Sequence, residues 1–226
     1  MPAPDVAYLF FYLGLNEMKS KLSAAVVGCA LSFAACAGSV RGDIDGESIP
    51  TFYDAALGGV EVDEPEGFLL VGYNLPGDSC EDGAALIAST RDGDEDRVDT
   101  INELVPVGDW QTQLLLGGTS FNDLKNETYD LSDDDNEVGI QLSFCRQKRE
   151  ADVDDDGIDF GNDCYLAADG DLTFELSDDE EQLRIVSDGE LEVIDDDSDA
   201  VGDVTVDITF KGCQPLIEEV KDLVEQ

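Results

Sequence analysis

The chain of 226 residues contains no histidine, one tryptophan, two methionines and only 12 lysines and arginines. Without histidine there is no Ser-His-Asp or Cys-His nucleophile system, and the usual catalytic zinc sites are excluded. The shortage of cations excludes a nucleic-acid interface, because phosphates require a basic face. It also argues against docking on anionic lipid headgroups. No Cys-x-x-Cys spacing occurs, so a structural zinc site has no support. The apolar run Val6–Leu15 is too short to cross a bilayer, which takes roughly 20 residues.

Acid is abundant instead. Asp and Glu number 54, and the formal net charge is −42. Two readings of that charge compete. One is a solvated, salt-tolerant surface whose carboxylates repel unless counter-ions screen them. The other is dedicated cation binding. The acids are spread along the whole chain, which favours the first. Carboxylate-pair hydrolysis survives the absence of histidine, but among so many acids no pair stands out.

Residues Met18-Lys19-Ser20-Lys21 precede an apolar stretch from Leu22 to Phe33, followed by Ala34, Ala35 and Cys36. Two lysines, an apolar core and small residues before a cysteine make up a secretory signal with a lipid-attachment site. The segment resembles bacterial lipoprotein signal peptides over about 20 residues. Phe33 stands where that pattern usually has leucine. A rival site, Val26-Val27-Gly28-Cys29, leaves an apolar core shorter than the expected roughly 7–15 residues. The resemblance implies that residues 1–35 are removed and that Cys36 carries the acyl chains. The partner is then the membrane, reached through a lipid anchor. Ala37, not Asp, follows the cysteine, which in that family favours the outer membrane. Residues 1–17 read as a misassigned start ahead of Met18. The alternative is one uncleaved anchor from Val6 to Ala37, with Glu17, Lys19 and Lys21 in mid-span, where charge is expensive.

The 191 residues from Cys36 onward keep ten of the basic and 52 of the acidic side chains. That length suits one domain. Residues 36–48 read as a lipid-anchored polar tether, and 49–226 as the domain. Arg41-Gly42-Asp43 falls in the tether and reads as a chance occurrence. Cys80, Cys145, Cys164 and Cys213 remain, an even number that in an exported chain points to two disulfides. Of the three possible connectivities, Cys145 with Cys164 and Cys80 with Cys213 is the preferred one.

From Ile49 onward the pattern is β. Pro50–Leu57, Gly67–Tyr73, Ala84–Ser89, Ile101–Val107, Gln111–Leu116 and Thr128–Leu131 are candidate strands. The clearest alternation lies in Val138–Phe144, Leu172–Leu176, Leu191–Val193 and Val204–Phe210. Each such segment offers one apolar and one wet face. The expected fold is all-β, an antiparallel β-sandwich of roughly 7–10 short strands. A C-terminal helix over 214–226 opens at Pro215 and aligns Leu216, Ile217, Val220, Leu223 and Val224. Trp110 reads as a core or edge anchor.

One stretch carries possible chemistry. Asp152, Asp154 and Asp156 precede Gly157, the opening of Asp-x-Asp-x-Asp-Gly calcium loops. Calcium takes 6–8 oxygen ligands, and alternate carboxylates on a tight loop converge on one point. The stretch resembles a single thrombospondin type-3 loop more than an EF-hand, whose twelfth position would be Glu where Asp163 stands. The resemblance implies side-chain ligands Asp152, Asp154, Asp156 and Asp163, with a carbonyl from Ile158 and Asp159 as an alternative. Calcium is then a structural cofactor that orders the loop. Asp92, Asp94 and Asp96 repeat the spacing, with Arg97 in place of glycine. The role expected is a non-enzymatic envelope protein. A calcium-dependent ligand-binding or adhesion module and a carboxylate-dependent polysaccharide hydrolase are the alternatives. Nothing identifies the protein or polysaccharide partner.

Overall fold

The computed structural model describes residues 39–49, 55–63, 66–91, 93–118, 124, 127–133, 136, 138–154, 157–177 and 181–225. The signal segment, Cys36 and Asp156 lie outside them. Fourteen strands and three helices are present among the described residues. In order these are β1 (Ser39–Ile44), β2 (Glu47–Ser48), β3 (Ala55–Asp63), β4 (Glu66–Asn74), α1 (Ser79–Ser89), α2 (Asp94–Leu104) and β5 (Trp110–Gly118). There follow β6 (Glu127–Asp130), β7 (Val138–Gln147), β8 (Asp152–Asp154), β9 (Gly157–Asp159), β10 (Asn162–Asp169) and β11 (Asp171–Leu176). The chain ends with β12 (Gln182–Ser187), β13 (Leu191–Ile194), β14 (Ala200–Gly212) and α3 (Gln214–Val224). The protein is a large, mainly antiparallel β structure with a C-terminal helix, as the alternation implies.

Twelve strands form one sheet, in the order β13-β10-β7-β5-β4-β3-β14-β12-β11-β6, with β1 on β14 and β2 on β1. The pairings are antiparallel except β3 with β14. Because β13 also pairs with β14, the path closes on itself. Stepping across partners from Ala200 through Ile194, Leu166, Ser143, Gln113, Tyr73 and Ala56 leads back to β14 at Lys211, eleven residues further along. A closed sheet needs such a stagger, which tilts its strands. It also explains why β14 has 13 residues. Its first half carries β13 and β1, and its second half carries β12 and β3. The two walls of the sandwich are continuous through this strand.

Alternation decides which side chains fill the interior. Leu142 and Phe144 of β7, Leu172 and Phe174 of β11, and Val204, Val206, Ile208 and Phe210 of β14 are all buried in one core. β4 is buried on both faces. Phe68 and Leu70 join that core, while Val71 and Tyr73 pack under helices α1 and α3. Burial on both faces explains its unbroken apolar sequence. Gly72 lets Phe210 approach, since a Cβ there would lie 2.7 Å from Phe210 Cε1.

Two of the expected strands are helices. Ala84–Ser89 belongs to α1, where the Asp78 carboxylate caps the N terminus by accepting from the backbone N–H groups of Cys80 and Glu81. Ile101–Val107 overlaps α2, whose first turn holds Asp94, Glu95 and Asp96. Acids there complement the positive end of the helix dipole. Short apolar runs have no decisive period, and here the cap and the dipole arbitrate. The expected tether is also corrected, because Ser39–Ile44 is a strand paired with β14 along its whole length. Val40 and Ile44 are fully buried while Arg41 and Asp43 face solvent. Gly42, at the inward position between Val40 and Ile44, disguises that alternation. Gly42, at φ +147°, is required because a Cβ would strike the Asp203 backbone. Arg41-Gly42-Asp43 is therefore held inside a sheet. β12, at 182–187, and β10, at 162–169, are further strands that the pattern did not reveal.

Candidate functional site

Cys80 is bonded to Cys213 and Cys145 to Cys164. The first disulfide staples the start of α1 to the junction of β14 and α3. Cys213 also caps α3, its Sγ accepting from Leu216 N–H at 3.4 Å. The second joins residues directly opposite in the β7–β10 ladder.

The stretch expected as a calcium loop is a β-hairpin. Asp152 stands opposite Asp159, Val153 opposite Ile158, and Asp154 opposite Gly157. Val153, Ile158 and Phe160 pack against Val98 and Ile101 of α2. The Asn102 amide clamps Ala151 from both sides, donating to its carbonyl at 3.0 Å and accepting from its N–H at 2.7 Å. Buried Gln147 donates to the carbonyls of Arg149 and Phe160 at 2.7 and 2.8 Å. The Arg97 guanidinium lies 5.1 Å from the centre of the Phe160 ring. These contacts hold Ala151, Val153, Ile158 and Phe160 against α2.

The carboxylates of Asp152, Asp159 and Asp163 have separate partners. Asp159 accepts from Arg149 and from Gly161 N–H, and the Arg149 guanidinium holds its carboxyl below the usual range. Asp163 lies 3.6 Å from Lys148 Nζ. Asp152 accepts from the N–H of Val153. Ile158 is an apolar contact to α2. Among the described residues no group of three or more acidic or cysteine side chains is placed to hold a metal. Of the expected ligands, Asp159 and Asp163 are thus engaged by cations. Asp152 is exposed on β8.

Two further constellations emerge from the pairing. At one end of the closed sheet, Trp110 and Tyr165 are buried with ring centres 6.2 Å apart. Arg146 lies 6.0 Å from the Trp110 ring and pairs with Glu47, which Lys148 also approaches at 3.6 Å. Glu47 thereby ties β2 across to β7. Trp110 is the buried anchor expected of it, and burial with nearby Asp163 raises the Tyr165 hydroxyl pKa. The second constellation is a row of carboxylates. Asp43, Asp203, Glu192 and Asp169 stand directly opposite one another across β1, β14, β13 and β10, all exposed. Acids at alternate strand positions were visible in the sequence, but the register that aligns them was not.

No protein-family model, curated protein or solved structure matches the chain. Among the described residues no helix is long and apolar enough to cross a membrane.

Proposed function

We propose that the chain is an exported, lipid-anchored protein of the bacterial cell envelope, most simply of the outer membrane, with a non-enzymatic role. The observation that carries this reading is the pairing of all four cysteines of the folded domain in two disulfides. Disulfides persist in oxidising compartments outside the cytosol. The Met18–Cys36 segment supplies the matching export and acylation signal, and one acidic β domain follows it. Two acyl chains or more would make the attachment stable. The absence of histidine supports a binding or architectural role over catalysis.

The test is intact-mass and peptide mass spectrometry of the protein made in a bacterium that processes lipoproteins. The reading expects a mature chain that begins at Cys36, carries acyl groups and partitions into detergent. Cys36→Ala should abolish the modification. A soluble chain still carrying residues 18–35 would defeat it.

A calcium-stabilised variant of the same role rests on the Asp152-Val153-Asp154 spacing within β8. Calorimetric titration of the protein and of Asp152→Ala tests it. Stoichiometric binding lost in the variant supports it, and unsaturable binding unchanged in the variant refutes it.

A further inference from the structure

Only Ala37 and Gly38 lie between Cys36 and Ser39, the first residue of β1. Consecutive Cα atoms are 3.8 Å apart, so Cys36 lies no more than about 11 Å from Ser39. Ser39 pairs with Asp207 near the middle of β14. If Cys36 carries the lipid, as the reading above holds, the domain has no tether. The wall around Asp207 is then held against the bilayer.

The charge on that wall differs from that of the carboxylate row on the other half of β14. Outward-facing residues of β14 in this half are Thr205, Asp207, Thr209 and Lys211, alternating with buried Val206, Ile208 and Phe210. Arg184 of β12 stands opposite Thr209, and Arg41 of β1 opposite Thr205. Arg184 donates to both oxygens of Asp207 at 2.8 and 2.9 Å and to Glu175 at 2.8 Å. Arg41, Arg184 and Lys211 thus stand beside Asp207, the one carboxylate among the outward residues of β14 from Thr205 to Lys211, in a chain whose net charge is −42. Next along the row, Thr173 pairs with Val186 and Thr128 with Thr173, adding no charge. The other half of β14 carries the carboxylate row at Asp203.

We propose that the outer face of β14 from Thr205 to Lys211, with Arg41 and Arg184 beside it, is the surface that the domain turns to the lipid bilayer. Two independent observations converge on it. The short link from Cys36 brings this wall to the bilayer, and its cations reduce the repulsion from anionic headgroups that the carboxylate row would meet. The β13–β14 turn at Asp196 lies beyond the carboxylate row, at the other end of β14. It lies more than about 20 Å from Asp207 along the strand, at roughly 3.3 Å per residue.

The test uses the full lipidated protein in phosphatidylglycerol-containing vesicles that include a lipid with a nitroxide on its headgroup. Thr209→Trp and Asp196→Trp are compared, with buried Trp110 as a common background. The proposal expects loss of most of the added emission at position 209 and none at 196. It also expects Lys211→Glu in the Thr209→Trp protein to weaken that quenching. Equal quenching at both positions, or stronger quenching at 196, in a protein whose Cys36 acylation is verified by mass, overturns the orientation and leaves the anchor standing. An unmodified Cys36 overturns both.

Discussion

Asp203 in β14 stands directly opposite Glu192 in β13, and on its other side opposite Asp43 in β1. Asp169 extends the row beyond Glu192. Opposed residues on neighbouring strands have Cβ atoms about 4.5–5.5 Å apart, and like charges so placed destabilise a sheet. The row crosses the seam where the sheet closes. Asp203→Asn is therefore expected to raise the urea midpoint at low salt. The gain should vanish near 1 M salt, where the screening length is about 3 Å. Urea melts at two ionic strengths check this, and a gain unaffected by salt would count against repulsion as its cause.

Gly72→Ala should cost about 1–3 kcal/mol, the usual range for overpacking. The new methyl would lie 2.7 Å from Phe210 Cε1 and 3.2 Å from Leu114 Cβ, both in a core with little freedom to yield. Equilibrium unfolding in denaturant measures it, and a neutral result would mean that β4 and β14 can move apart.

The two disulfides should differ in worth. The Cys80–Cys213 bridge spans 133 residues and the Cys145–Cys164 bridge 19. Loop-closure entropy assigns about 4–5 kcal/mol to the first and about 3 to the second. The paired variants Cys80→Ser with Cys213→Ser, and Cys145→Ser with Cys164→Ser, should fall in that order in a denaturant series. The reverse order would show that native packing around α1 outweighs chain entropy.

Acid should destabilise the fold through a few identified groups. The Arg184 guanidinium holds Asp207 below the usual carboxylate range, Arg149 does the same for Asp159, and the Ser132 hydroxyl and N–H do so for Asp130. A depressed folded value means stabilisation that is present above the unfolded value, near about 4, and lost as pH falls through the lower folded value. Melting temperature should therefore drop below pH about 4. Arg184→Met should make that drop shallower, because the Asp207 contribution is already gone. A pH series of melting curves for both proteins decides it.

Asn102→Ala should loosen residues 151–161 selectively. The variant leaves the buried N–H and carbonyl of Ala151 without their partners, at about 1–3 kcal/mol for each group so stranded. Amide exchange should accelerate in the β8–β9 hairpin while β5 and β7 stay protected. Uniform protection would show that the apolar contact with α2 alone orders the loop.

Much of the β architecture was legible residue by residue. Val204, Val206, Ile208 and Phe210 alternate with polar neighbours, so β14 could be read with one buried face. Leu216, Val220 and Val224 recur at helical spacing behind Pro215, so α3 could be read as well. Ala84–Ser89 and Ile101–Val107 were not legible, because short apolar runs fit both periods and a cap or a dipole decides. Ser39–Ile44 was disguised by Gly42, which takes an inward position where an apolar side chain would have marked the period. The hairpin at 152–159 looked like a cation loop because the spacing of its acids was visible. The cations that engage Asp159 and Asp163 come from Arg149 and Lys148, whose approach depends on how the chain folds back.

Composition and periodicity by themselves determined an acidic, histidine-free, disulfide-bearing β protein with a C-terminal helix. These are local or summed properties, carried by side-chain chemistry and by alternation along one strand. Tertiary structure alone decided which strands are neighbours and in what register. That choice closes the sheet through β14, aligns Asp43, Asp203, Glu192 and Asp169, and brings β1 to within three residues of Cys36. Register depends on contacts between segments far apart in the chain, and a shift of one residue would turn every side chain of a strand to the other face.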